Sequence, residues 1–172
     1  MIFAHLPAGY LMVKALTAFR PAPPLKFWLC GLVASVLPDL DILLFHLVGN
    51  VPNHRYYPTH WPLFWLGLFV VAAAVLWALG QRRAVAYPAI VLAGVMLHLA
   101  LDAIAGQIFY LAPFSFEAPL RLVRIPRFSD WWFINYLRHW LFQLEPAICG
   151  AAALVFAFSL PKPHRSPAGP RD

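Results

Sequence analysis

Long apolar stretches separated by short polar links set the pattern of this chain. Residues 61–80 (WPLFWLGLFVVAAAVLWALG) are apolar throughout, and at 1.5 Å rise per residue they reach across a hydrocarbon core of ~30 Å. Three more stretches have spanning length but carry polar residues. Residues 85–105 hold Tyr87, Pro88, His98 and Asp102, residues 27–49 are interrupted by Pro38, and residues 141–160 hold Gln143, Glu145 and Pro146. Residues 1–19 are apolar enough for a fifth helix, partly interfacial. The pattern predicts an all-α, multi-pass transmembrane bundle of about five helices, one of them broken at Pro38.

The links are polar or proline-rich. Residues 20–26 contain PAPP, residues 51–60 are polar, Gln81-Arg82-Arg83 is a short turn, and residues 106–140 carry Arg121, Arg124, Arg127 and Arg138 among aromatics. A short interfacial helix is predicted around residues 131–138. The tail 161–172, with His164, is expected to be a disordered polar segment. No internal repeat or second domain is visible, so residues 1–160 read as one membrane domain.

Composition agrees with that pattern. Only 12% of the 172 residues are charged and 62% are hydrophobic, where a soluble domain carries roughly a quarter charged. This excludes an ordinary soluble domain, a disordered chain and a disulfide scaffold. Seventeen prolines and seven tryptophans point to broken helices and interfacial anchoring. The net charge of +6 is spread over loops and forms no basic run, so no nucleic-acid partner is expected. Cys30 and Cys149 stand alone in apolar segments as packed thiols. The N-terminus lacks the positive region of a cleavable signal, so the first residues are expected to stay in the mature chain. If the helices alternate, Arg20, Lys26, Arg82, Arg83 and the basic tail share one face, which the positive-inside rule makes cytoplasmic.

An ionisable group inside an apolar span costs roughly 2.5–3.5 kcal/mol on insertion scales, which makes each one a functional pointer. His98 and Asp102 (HLALD) are four residues apart and share one helix face. They suit two ligands of one metal, while taken alone the pair is read first as a His bonded to its own Asp. Asp39 and Asp41 (LPDLD) follow Pro38, which disfavours helix at Leu37 and removes a backbone donor. Both carboxylates can therefore turn inward at a break, and a divalent cation relieves their repulsion. One of the two is also expected to cap the following helix. Residues 53–60 (NHRYYPTH) add His54, His60 and Arg55, whose planar fork suits phosphate or carboxylate. His5 near the start of the first helix and Glu145 near the start of the last reach the same membrane face under alternating topology. His46 is a reserve ligand, and His139 among Trp131, Trp132 and Trp140 reads as interfacial packing.

In this order the motifs resemble the YdjM/YbcI-type family of small integral membrane proteins, described as metal-dependent hydrolases and also labelled LexA-binding. The resemblance rests on His5 in HLPAGY, LPDLD at 37–41, HRYYPTH at 54–60, HLALD at 98–102 and Glu145 in FQLEP. The family commonly reads HRGxTHS; here Tyr56 and Tyr57 replace the glycine region and Trp61 replaces the serine. The family is distantly similar to the zinc-dependent phospholipase C and nuclease superfamily, which is all-helical.

The resemblance implies a membrane-bound, metal-dependent hydrolase of the inner membrane, and the site's depth at the bilayer interface points to a phosphoester of a lipid or lipid-linked substrate. His5, Asp39, Asp41, His54, His60, His98 and Asp102 are the expected ligands of two or more divalent ions, zinc by choice of donors. Arg55 is expected to hold the substrate anion, and Glu145 to be a further ligand or the proton-handling carboxylate. The alternative is a non-catalytic protein whose ion staples broken helices or is transported. The bare 61–80 stretch and the one-ended polar groups favour an enzyme site over a carrier. No residue here supports LexA binding.

Overall fold

The computed structural model describes residues 1, 3–19, 21–49 and 51–160. The tail 161–172, with His164, and Arg20 lie outside the described residues. Among the described residues there are seven α-helices and no β-strand, only an isolated antiparallel bridge between Ile108 and Leu120. They are α1 (His5–Thr17), α2 (Leu25–Ala34), α3 (Asp41–Val48), α4 (Pro62–Ala78), α5 (Ala86–Ala105), α6 (Trp132–Leu137) and α7 (Leu144–Ser159).

Two helical runs have the length and apolarity to cross a bilayer: Arg82–Ala105, of mean hydropathy 2.0, and Trp140–Ser159, of mean hydropathy 1.7. Leu25–Ala34 and Leu37–Val48 form a pair bent by 59°, which counts as a third crossing if the pair is one span. The expected five spans thus reduce to two or three helices of spanning length. The reason is where the helices stop. Trp61 is extended, so α4 begins only at Pro62, and Gly80 in a left-handed conformation (φ 71°) ends it. The amide of Gln81 closes back on the carbonyl of Leu76, the glycine-dependent stop that leaves no further helical register. At 17 residues α4 is about 26 Å long and α1, at 13, about 20 Å. The short helix expected near residues 131–138 is present as α6.

The break in the second segment follows from Pro38. Helix α2 ends at Ala34, Leu37–Leu40 forms a 3-10 turn, and α3 restarts at Asp41. Neither Asp39 nor Asp41 caps α3 with its side chain, which corrects the expected cap. Both carboxylates have partners from other elements.

Helices α1, α2 and α5 pack closely through small residues, as membrane helices do when backbones approach. A Cβ on Gly94 of α5 would lie 2.8 Å from the Cβ of Ala34 and 2.9 Å from the carbonyl oxygen of Gly31, both on α2. Ala34, Val95, Leu99 and Ala103 form the adjoining core. Helix α4 buries no residue, and its Leu66, Leu68, Val70 and Val71 are exposed, a surface that suits lipid tails and not water. Gly94→Ala is therefore expected to lower stability by about 1–3 kcal/mol through overpacking. Gly67→Ala, where a Cβ meets nothing within 4 Å, should leave it unchanged or slightly raised. Thermal unfolding in detergent checks the pair, and equal melting temperatures would contradict the tight α2–α5 approach.

Candidate metal centre

Four pieces of the chain deliver polar side chains to one end of the bundle. The Pro38 break presents Asp39 and Asp41, the last turns of α5 present His98 and Asp102, and the start of α1 presents His5. The link between α3 and α4 curls into two 3-10 turns, His54–Tyr56 and Pro58–His60. Asn53 accepts the amide of Arg55 at 3.0 Å, and the Trp65 indole donates to the carbonyl of Thr59 at 2.8 Å. These bonds fold the link back over the bundle end and turn His60 inward.

Asp41 gathers the first group. Its Oδ1 accepts from Nδ1 of His54 at 3.0 Å, and its Oδ2 accepts from Nδ1 of His60 at 2.7 Å and from the Thr59 hydroxyl. A carboxylate only accepts, so His60 carries its hydrogen on Nδ1 and, when neutral, presents Nε2 as a bare lone pair. His98 is set the same way. Its Nδ1 donates to the Ser35 carbonyl at 2.9 Å, which again leaves Nε2 bare.

Among the described residues these two Nε2 atoms are buried without a hydrogen-bond partner, as are His5 Nδ1 and Trp61 Nε1. The two Nε2 atoms face the second group of acids. His98 Nε2 lies 3.5 Å from Oδ1 of Asp39, and His60 Nε2 lies 4.0 Å from Oδ1 of Asp39 and 4.0 Å from Oδ2 of Asp102. One donor atom from each of Asp39, His60, His98 and Asp102 lies within 4.8 Å of every other. Such separations are too long for hydrogen bonds. Donors held ~2.0–2.2 Å from one tetrahedral ion sit about 3.3–3.6 Å apart. Buried bare nitrogens facing carboxylates suit a positive centre between them, so the residues fit a divalent cation. Asp41, His54 and His60 also lie within 4.8 Å of one another, but their contacts have hydrogen-bond lengths.

The other expected site residues take different places. Arg55 sets both Nε and Nη2 on Oδ2 of Asp102, at 2.9 and 2.7 Å. Gly106 makes this possible, because a Cβ there would lie 2.8 Å from the Arg55 Cζ. The guanidinium expected to hold a substrate anion is thus committed to Asp102. The Met1 amino group donates to Oδ1 of the same carboxylate at 2.6 Å. His5 has Nε2 at 3.3 Å from Asp102 Oδ1 and 3.2 Å from the Met1 carbonyl, with its ring stacked on His98 at 3.9 Å. It flanks the four-residue group, with Nε2 also 4.0 Å from Oδ2 of Asp39.

Glu145 at the start of α7 is outside both groups. Its Oε2 accepts the amides of Phe3 and Ala4 at 2.8 and 2.7 Å, and its Oε1 accepts the Tyr136 hydroxyl at 2.8 Å. Helix α1 has no capping side chain of its own, so an acid from α7 serves as its cap. Burial and the Glu145 carboxylate push the Tyr136 hydroxyl pKa up, which keeps it a donor. His46 packs its ring on Phe45, away from both groups, and His139 accepts the amide of Leu141 beside Trp140. Sequence reasoning missed Tyr136 and the Ser35 carbonyl. No side-chain type marks a carbonyl, and Tyr136 sat unmarked among other aromatics.

Compared with known families, residues 1–161 match the family described as YdjM inner membrane protein. No curated protein and no solved structure matches the chain.

The placement of Glu145 makes a direct prediction. Glu145→Ala strands the Phe3 and Ala4 amides and the Tyr136 hydroxyl, at roughly 1–3 kcal/mol per unsatisfied buried group. The melting temperature in detergent should fall clearly, with a smaller fall for Tyr136→Phe, while bound metal stays at its wild-type amount. Full stability with loss of metal would make Glu145 a ligand instead.

Proposed function

The chain belongs to the YdjM inner membrane protein family, and on that premise we propose that it is a membrane-bound metal-dependent hydrolase whose divalent cation is held by Asp39, His60, His98 and Asp102. The observation that carries this is the pair of buried, partnerless Nε2 atoms of His60 and His98 facing two carboxylates. Mixed imidazole and carboxylate donors suit zinc. A bound cation there supplies Lewis acidity toward a phosphoryl oxygen and a water of lowered pKa.

The protein's own residues do the rest. Asp41 and the Ser35 carbonyl hold the two imidazoles in the tautomer that leaves Nε2 free, while Arg55 and the Met1 amino group donate to Asp102 and hold it in place. Asp39 is the open side of the group. Its side chain is 30% exposed, against 0–1% for His60, His98 and Asp102, so water and substrate approach there.

A phosphoester of a lipid or lipid-linked compound is the substrate class this placement supports. The group lies at the end of the apolar helices, and an apolar groove of about 400 Å³ lined by Leu6, Tyr10, Leu32, Cys149 and Phe156 runs along α1, α2 and α7. Exposed Arg121 and Arg124 flank Leu122 and Val123, whose amides bond the Ala103 and Ile104 carbonyls at the end of α5. Those cations suit an anionic headgroup.

A second reading has a specific support. Three of the four ligands are almost fully buried, as in a closed structural site that staples the broken segment to α5. Metal analysis and lipid hydrolysis on detergent-purified protein separate the two. The hydrolase reading expects bound divalent metal and release of phosphate or a phosphorylated headgroup, both lost in Asp102→Asn. Metal retained by a wild type inert toward phosphomonoester and phosphodiester lipids favours the staple. Metal-free wild type contradicts both.

A further inference from the structure

We infer that Asp41 is a positioning residue and that the centre holds a single cation, an inference that rests on the metal-binding reading above. The sequence puts Asp41, His54 and His60 on equal terms with the other four ligands, and their donor atoms do lie close enough to suggest a second ion. The distances divide them. Around Asp41 the separations are 2.7 and 3.0 Å, shorter than the ~3.3 Å between donors on a shared tetrahedral ion and typical of N–H to carboxylate bonds. Oδ2 accepts from both His60 and the Thr59 hydroxyl, and Oδ1 accepts from His54. The carboxylate is fully buried and satisfied by hydrogen bonds alone.

Asp39 is the opposite case. Among the described residues no hydrogen bond fills the space between it and His60 and His98, and the nearer of the two imidazole nitrogens is 3.5 Å away. His60 joins the two regions through its two nitrogens, Nδ1 toward Asp41 and Nε2 toward Asp39 and Asp102. That is the arrangement in which an outer carboxylate fixes the tautomer and direction of a ligating imidazole and raises its basicity. A second ion at Asp41 would require His60 to surrender the Nδ1 hydrogen that Asp41 now receives.

Equilibrium competition against a chromophoric chelator, with zinc as the probe and full-length protein stripped of metal in detergent, tests this. Wild type is expected to bind one zinc per chain. Asp41→Asn should still bind one, with affinity reduced by about 10–100-fold, and cobalt in its place should show a shifted visible spectrum. Thr59→Val keeps the carboxylate and provides the milder variant should Asp41→Asn fold poorly; it should weaken affinity with stoichiometry unchanged. Two zinc ions in wild type falling to one in Asp41→Asn would overturn the inference while leaving the metal reading intact. Wild-type affinity in both variants would also overturn it. No zinc in wild type would instead contradict the reading on which it rests.

Discussion

Two imidazole lone pairs, His60 Nε2 and His98 Nε2, buried against Asp39 and Asp102, are the constraint on which the rest of this end of the molecule depends. In an apolar bundle such atoms cannot borrow partners from water, and each left alone carries a cost of about 1–3 kcal/mol. The chain surrounds them with devices that fix their direction. Pro38 breaks a helix so that Asp39 can approach, two 3-10 turns bring His60 in from above, and the Ser35 carbonyl at the end of α2 takes the His98 hydrogen. Packing and chemistry are linked through that carbonyl. The close Gly94 contact, where an added Cβ would lie 2.9 Å from the Gly31 carbonyl oxygen on α2, also sets the height of His98 beside Ser35.

Charge is balanced locally. Asp102 receives the Arg55 fork and the Met1 amino group, and Asp41 receives two imidazoles and a hydroxyl. Asp39 has no comparable hydrogen-bond donor and is also the most exposed of the three. The acid that a cation would complete is thus the one that solvent can reach. Glu145 contributes at one remove, holding the first turn of α1 so that His5 can stack on His98.

Much of this was legible in the sequence, for stated physical reasons. The four-residue spacing of His98 and Asp102 fixes their common face on any α-helix, and a proline before two acids announces a break whatever surrounds it. What sequence could not supply is partner choice. Arg55 suits a phosphate and a carboxylate equally well, and only the fold shows that Asp102 holds it. Asp39 and Asp41 are two residues apart with identical chemistry, yet one faces open donor atoms and the other closes a hydrogen-bond set. Helix count failed for a different reason. Apolarity continues through Trp61 and up to Gly80, but helical geometry does not, because extended Trp61 and left-handed Gly80 cut the helix inside the apolar stretch.

X-ray absorption at the metal edge, on protein purified from membranes without added metal, tests the central claim most directly. The account predicts a nitrogen and oxygen shell at ~2.0–2.2 Å, with outer-shell scattering from two imidazoles and no sulfur. A sulfur shell, a metal without imidazole scattering, or protein that carries no metal would contradict it.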